Sequence, residues 1–176
     1  MRTRIILFLS VILFTANLRA QDAPPQFEHI QDLEPFIGEW EGKYDPPGDV
    51  PLGTVRVRCQ WLGSKGYCHF EGLFIPDGTD IELNPVNIFI GYSGKTKKVH
   101  SWHLELGSHA NAPVKITKNK VQFDVRDRYS TDGVRETRVV TYELRSPDEL
   151  VGRNTHIIRG GEAKPDHEPL VLKRVK

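Results

Sequence analysis

Cysteine is nearly absent from this 176-residue chain, which has two, at positions 59 and 68. A structural zinc site wants four ligands, and a disulfide-dense scaffold wants many more thiols, so the fold must rest on an apolar core. A dominant charge sign is missing too: 24 basic residues face 23 acidic ones, which removes the electrostatic footprint of a nucleic-acid binder. No apolar run reaches the roughly 20 residues of a membrane-spanning helix, so no membrane span is expected. H-E-x-x-H, G-x-S-x-G, G-x-G-x-x-G and the P-loop are all absent, and no carboxylate pair is singled out by spacing for acid–base work. These absences leave no catalytic residue, metal ligand or cofactor to assign, and catalysis is not the expectation.

What is present begins with MRTRIILFLSVILFTANLRA. Arg2 and Arg4 precede an apolar run from Ile5 to Phe14, and a polar stretch ends at Ala20. This is the layout of a cleaved secretory signal peptide, and it predicts a secreted or periplasmic protein cut after Ala20. With Arg2, Arg4 and Arg19 removed and no acid lost, the formal charge moves from +1 to −2. The expected organisation is a signal peptide over 1–20, a proline-bearing leader over 21–26, and one domain over 27–176.

Within that domain Phe27, Ile30 and Leu33 are spaced as one short helix ending at Pro35. Beyond Trp40 no window has helical periodicity, and turn signals recur at short intervals. Strands are predicted over Glu39–Tyr44, Thr54–Leu62, Lys65–Ile75, Val86–Tyr92, Lys98–Leu106, Val114–Thr117, Lys120–Thr131, Val134–Leu144, Glu149–Ile158 and Leu170–Lys176. The connectors are short, so sequence neighbours should pair antiparallel, and a long meander hides its edges best by closing. The predicted class is all-β: an up-and-down barrel of about 8–10 strands.

Turn chemistry then suggests registers. A two-residue turn at Gly63–Ser64 sets Cys59 against Cys68, Val57 against Phe70 and Trp61 against Gly66. The cysteines fall on a non-hydrogen-bonded pair, where α-carbons are about 4.5 Å apart and a disulfide can form. A Cys59–Cys68 disulfide is therefore expected in an oxidising compartment, with two reduced buried thiols as the alternative. Val55, Val57, Trp61, Phe70 and Phe74 share their face, which should be the interior. Asp132-Gly133 reads as a type I′ turn that sets Phe123 against Tyr142, Val125 against Val140, Asp127 against Arg138 and Tyr129 against Glu136. In the next hairpin a five-residue loop sets Leu144 against Leu150, Tyr142 against Gly152, Val140 against Asn154 and Arg138 against His156. Asp127, Tyr129, Arg138, Asn154 and His156 should then meet inside one end of the barrel. They would form either a satisfied ion pair or the polar anchor of a ligand pocket. In VHSWH, His100 and His103 point to opposite faces, and His100 is the inward one if Trp102 is inward.

Phe36-Ile37-Gly38-Glu39-Trp40-Glu41-Gly42 resembles the G-x-W opening of the lipocalin (calycin) superfamily, and more closely its exported bacterial barrels of unknown function. Ile90-Gly91-Tyr92-Ser93-Gly94-Lys95-Thr96-Lys97-Lys98 is similar to a hairpin of the same families. The resemblance implies a barrel plugged at one end by the helix, with Trp40 beneath it between Gly38 and Gly42. It also implies a small hydrophobic or amphipathic ligand inside. A related branch, the nitrobindins, opens with G-x-W-x-G-x-G and binds haem through a late histidine. Here Tyr44 stands at the last glycine, and His156 would be the axial ligand. A structural or interaction domain with no pocket is the further alternative.

Overall fold

Eleven antiparallel strands make one sheet in the computed structural model, which describes residues 30–45, 51–63, 65–130 and 132–175. The strands are β1 (Gly38–Tyr44), β2 (Gly53–Leu62), β3 (Tyr67–Pro76), β4 (Leu83–Ser93), β5 (Lys98–Glu105) and β6 (Ser108–Thr117), followed by β7 (Lys120–Tyr129), β8 (Arg135–Ser146), β9 (Glu149–Arg159), β10 (Glu162–Ala163) and β11 (Leu170–Arg174). Strands β1 to β9 pair in sequence order, and β11 lies between β9 and β1, so ten strands close into a barrel with β10 as an extra ribbon on β9. The predicted all-β closed meander is what forms. Closure leaves no long free edge, which is why so many short-looped strands can coexist in one sheet. The predicted signal peptide, the leader and the start of the predicted helix lie outside the described residues. Its end is seen at Ile30–Gln31, followed by a 3-10 turn over Glu34–Phe36. Among the described residues no helix is long and apolar enough to cross a membrane.

The end of the barrel nearest this turn is filled. Ile30, Leu33, Phe36, Trp40, Phe70, Ile90, Leu150 and Leu172 are fully buried there or next to it. The Trp40 indole donates to the Phe36 carbonyl (2.8 Å), and the Arg174 guanidinium lies 4.0 Å from its ring centroid. The flanking glycines explain the rest of the opening motif. Gly38 has φ +133°, a region closed to most side chains, and a Cβ there would sit 2.6 Å from Arg174 Nη1. A Cβ on Gly42 would sit 2.2 Å from the Val171 carbonyl oxygen, so glycine lets β11 approach β1 closely enough to close the barrel.

Three registers differ from the sequence expectation, each for a visible reason. In β2–β3 Leu62 pairs with Tyr67, so four residues connect the strands where a two-residue turn is predicted. The longer loop lets the Trp61 indole (2.8 Å) and Lys65 ammonium (3.2 Å) both reach Glu34, tying the hairpin tip to the 3-10 turn. A slip of two keeps every side chain on its predicted face, so Val57, Cys59, Cys68 and Phe70 are buried as expected. It does, however, set Cys59 opposite Phe70 and Cys68 opposite Trp61. The cysteines are now diagonal neighbours, about 7–8 Å apart where a disulfide spans at most about 6.8 Å, and both are free buried thiols rather than the expected disulfide.

In β7–β8 Phe123 pairs with Val140 and Val125 with Arg138. A bulge then places Arg126 and Asp127 opposite the single residue Thr137, so that Arg128 pairs with Glu136. The extra residue reverses the faces beyond it: Arg128 turns inward, and Asp127 and Tyr129 turn outward. In β8–β9 the predicted pairs Leu144–Leu150, Tyr142–Gly152 and Val140–Asn154 all form. The fourth, Arg138 with His156, is lost to a second bulge, where His156 takes φ +54° and Ile157 fills the interior position.

Candidate functional site

The opposite end of the barrel is hollow, and its two bulges flank Arg138 from both neighbouring strands. Glu105 on β5, Arg128 on β7, and Glu136 and Arg138 on β8 form a closed ring of alternating charge. Arg128 Nε donates to one Glu105 oxygen (2.6 Å) and Arg138 Nη2 to the other (2.6 Å). Glu136 Oε1 accepts from Arg128 Nη1 (2.9 Å) and Arg138 Nη1 (3.4 Å). No side chain of the four is more than 16% exposed. Buried charges persist when paired in this way, and the ring as a whole is neutral.

His103 stands beside it, 1% exposed, with its ring edge-on to Phe123 at 5.1 Å between centroids. Its Nε2 lies 2.8 Å from Ser101 Oγ, and the same hydroxyl lies 3.2 Å from the Ala112 carbonyl. A carbonyl only accepts, so the single hydroxyl proton of Ser101 goes to Ala112, and Nε2–H of His103 must be the donor to Ser101. Burial pushes the His103 pKa down to about 4; Glu105 opposes this, and Arg138 and Arg128 reinforce it. The imidazole is therefore neutral, and Nδ1 carries a bare lone pair. That Nδ1 and the Arg138 Nε–H are both buried with no hydrogen-bond partner.

Glu105 and Arg138 of the ring, with His103, line a cavity of about 250 Å3 together with Tyr44, Tyr142, Asn154, His167 and Glu168. A second cavity of about 480 Å3 adjoins it, walled by Val55, Val57, Leu73, Phe74, Leu83 and Leu106. Tyr44, Pro85, Val86, Tyr142, Asn154 and Leu170 belong to both walls. Burial holds the Tyr142 phenol up at about 12 and raises that of Tyr44, with Arg138 pulling each the other way, so both hydroxyls stay protonated. An apolar chamber thus opens onto a polar one across a shared wall.

Of the six residues predicted to form the interior polar cluster, the structure brings together Arg138 and Asn154. Asp127 is on the outer surface, paired to Arg135 at 2.7 Å, and Tyr129 is exposed. His156 is also outside: its backbone N–H donates to Asp166 Oδ1 (2.8 Å), and its ring contacts Thr155 Oγ1 (3.1 Å). It lines neither cavity, so the residue expected as a haem ligand is not at the interior site. His100 and Trp102 face outward, because Ser101 and His103 pair with the inward Ile90 and Ile88.

His100 instead lines a separate surface cleft of about 620 Å3 with Lys97, Lys98 and Lys115, where Pro113 ends the β5–β6 ladder. That cleft is larger, yet none of the buried unpartnered polar atoms among the described residues lies on it. The chain reading missed Glu105, Arg128 and His103. Only a bulge brings Arg128 inward, and no turn residue announces it. Among the described residues no group of three or more His, Cys, Asp or Glu is placed to hold a metal ion. No model of a known protein family matches the chain, and no curated protein matches it.

Proposed function

We propose that this closed barrel is a carrier or receptor for a small amphipathic molecule, held in the hollow end with its apolar part between Val57, Phe74 and Leu83 and its polar part toward Arg138 and His103. The observation that carries this reading is the shared wall between an apolar chamber of about 480 Å3 and a polar one of about 250 Å3. Ligand sites of about 300–1,000 Å3 are typically apolar pockets with a few convergent polar groups. The lipocalin-like opening motif supports the same role, and the signal-peptide layout of residues 1–20 supports action outside the cytoplasm.

The test is binding of N-phenylnaphthylamine, a neutral apolar dye that brightens out of water. Saturable one-to-one binding to the wild type is expected, with loss on Leu170→Trp, which puts an indole into the wall common to both chambers. A non-saturable signal, or one that Leu170→Trp leaves unchanged, would overturn the reading.

A further inference from the structure

Resting on that binding reading, the polar chamber carries a finer specification. The four charges of the buried ring, of which Glu105 and Arg138 line the chamber, are spent on one another, since each arginine is held by both carboxylates and each carboxylate by both arginines; Arg153 on the same lining pairs with Glu143, and Glu168 is exposed. An ionised head, of either sign, would have to break one of these buried pairs and leave a charge without its partner, which is strongly unfavourable. Three residues on the chamber's lining each keep a buried polar atom without a partner: His103 its Nδ1 lone pair, an acceptor; Arg138 its Nε–H, a donor; and His167 its Nδ1. The first two stand together beside the ring of charges. His103 cannot swap its tautomer freely, because Ser101 is held as the acceptor of Nε2–H by its own donation to Ala112. Buried polar groups are rarely left unpaired in native structures, and those that are ask for an explanation.

We propose that the chamber selects an uncharged head that both donates and accepts a hydrogen bond, a hydroxyl or a primary carboxamide, giving its proton to His103 Nδ1 and accepting from Arg138 Nε–H. The ring of charges thus excludes acids and amines, and the histidine fixes the polarity of what remains. A carboxylate fails twice, bringing a second negative charge beside Glu105 and offering no proton to the histidine. An ester satisfies the arginine alone.

The experiment displaces N-phenylnaphthylamine from the full chain with four molecules of matched tail: decanol, decanamide, methyl decanoate and decanoate, at about pH 8, where the last is ionised. Decanol and decanamide should displace at about tenfold lower concentration than methyl decanoate, the effect of one additional hydrogen bond to a buried partner. Decanoate should be the weakest. His103→Phe, which keeps a ring against Phe123, should bring decanol and methyl decanoate to equal potency. If that variant does not fold, nitrogen NMR of the wild-type imidazole provides the second arm. It should show the Nε2–H tautomer, with the Nδ1 resonance shifting on addition of decanol. Equal potency of decanol and the ester in the wild type, or preference for decanoate, overturns the head assignment while dye binding stands. A dye that does not bind saturably overturns the binding reading and this one together.

Discussion

The two ends of this barrel are built from the same strands and solve opposite problems. At the end covered by the 3-10 turn the interior is occupied by Phe36, Trp40, Phe70, Leu150 and Leu172, and the polar groups there are spent on local closure. At the other end strands β5, β7 and β8 carry arginine and glutamate into the interior, two bulges interrupt the ladder, and space remains between the walls. The difference teaches where a barrel of this size holds its stability and where it leaves room to bind. Aromatic volume on regular strands fixes one end. Irregular backbone re-aims side chains at the other, as bulges near functional sites commonly do.

The sharpest way to break the comparison is at its filled end. Trp40 is fully buried, hydrogen-bonded to Phe36 and covered by Arg174. Trp40→Ala should cost about 3–5 kcal/mol, the usual range for removing a large buried aromatic. That is a large share of a typical stability of about 5–15 kcal/mol. Urea unfolding followed by circular dichroism reads it directly. A loss below about 1 kcal/mol would show that this end is not the stabilising one.

The hollow end should reveal itself through pH. His103 has its pKa lowered from 6.5 to about 4, by burial first and by Arg138 and Arg128 after it, against the opposing pull of Glu105. Between those values the unfolded chain takes up a proton that the native state refuses, so stability falls as pH falls from 6.5 towards 4. The full swing is about 3 kcal/mol for this one group. Other titrating groups add their own slopes, so the measurement is the difference between wild type and His103→Phe in denaturant midpoint across that window. The variant should lose this part of the slope, and parallel curves would place His103 in contact with water.

The same contrast shows what could be read from the chain alone. Strand existence, antiparallel order and the interior face of β2 and β3 follow from period-two patterning and short turns, and these hold even where the register slips, because a slip of two preserves the face. The β8–β9 pairs from Leu144 to Val140 were legible for the same reason. Arg138 and Asn154 were found inside because both lie on regular stretches of that pattern. Asp127, Tyr129 and His156 were misplaced because each lies at or beyond a bulge, where one extra residue exchanges the faces. His103 is not legible from the chain because Trp102 is the larger apolar residue of β5 and suggests the opposite phase; only the pairing of Ser101 and His103 with the buried Ile90 and Ile88 fixes it. The first half of β6, Ser108–Pro113, is silent in the sequence because its interior residues are small and its last carries no backbone N–H.

The smallest effect belongs to the cysteines, and it is an expected absence of effect. Cys59 and Cys68 are buried free thiols on diagonal positions at the filled end. Burial raises Cys68 to about 12 and Cys59 well above its ordinary value, with Cys68 adding to the rise at Cys59 and Arg174 opposing it. Neither is a thiolate at neutral pH, so neither should react with iodoacetamide in the native protein, and both should react once urea exposes them. A native disulfide closing so short a loop would still contribute about 2–3 kcal/mol by constraining the unfolded chain. Reductant should therefore leave the urea midpoint unmoved if the thiols are free, and lower it measurably if they are bonded. A lowered midpoint, together with a mass two hydrogens short, would mean that the β2–β3 hairpin shifts to bring Cys59 opposite Cys68. It would also mean that the clasp of Trp61 and Lys65 on Glu34, which holds the present register, yields to the covalent bond.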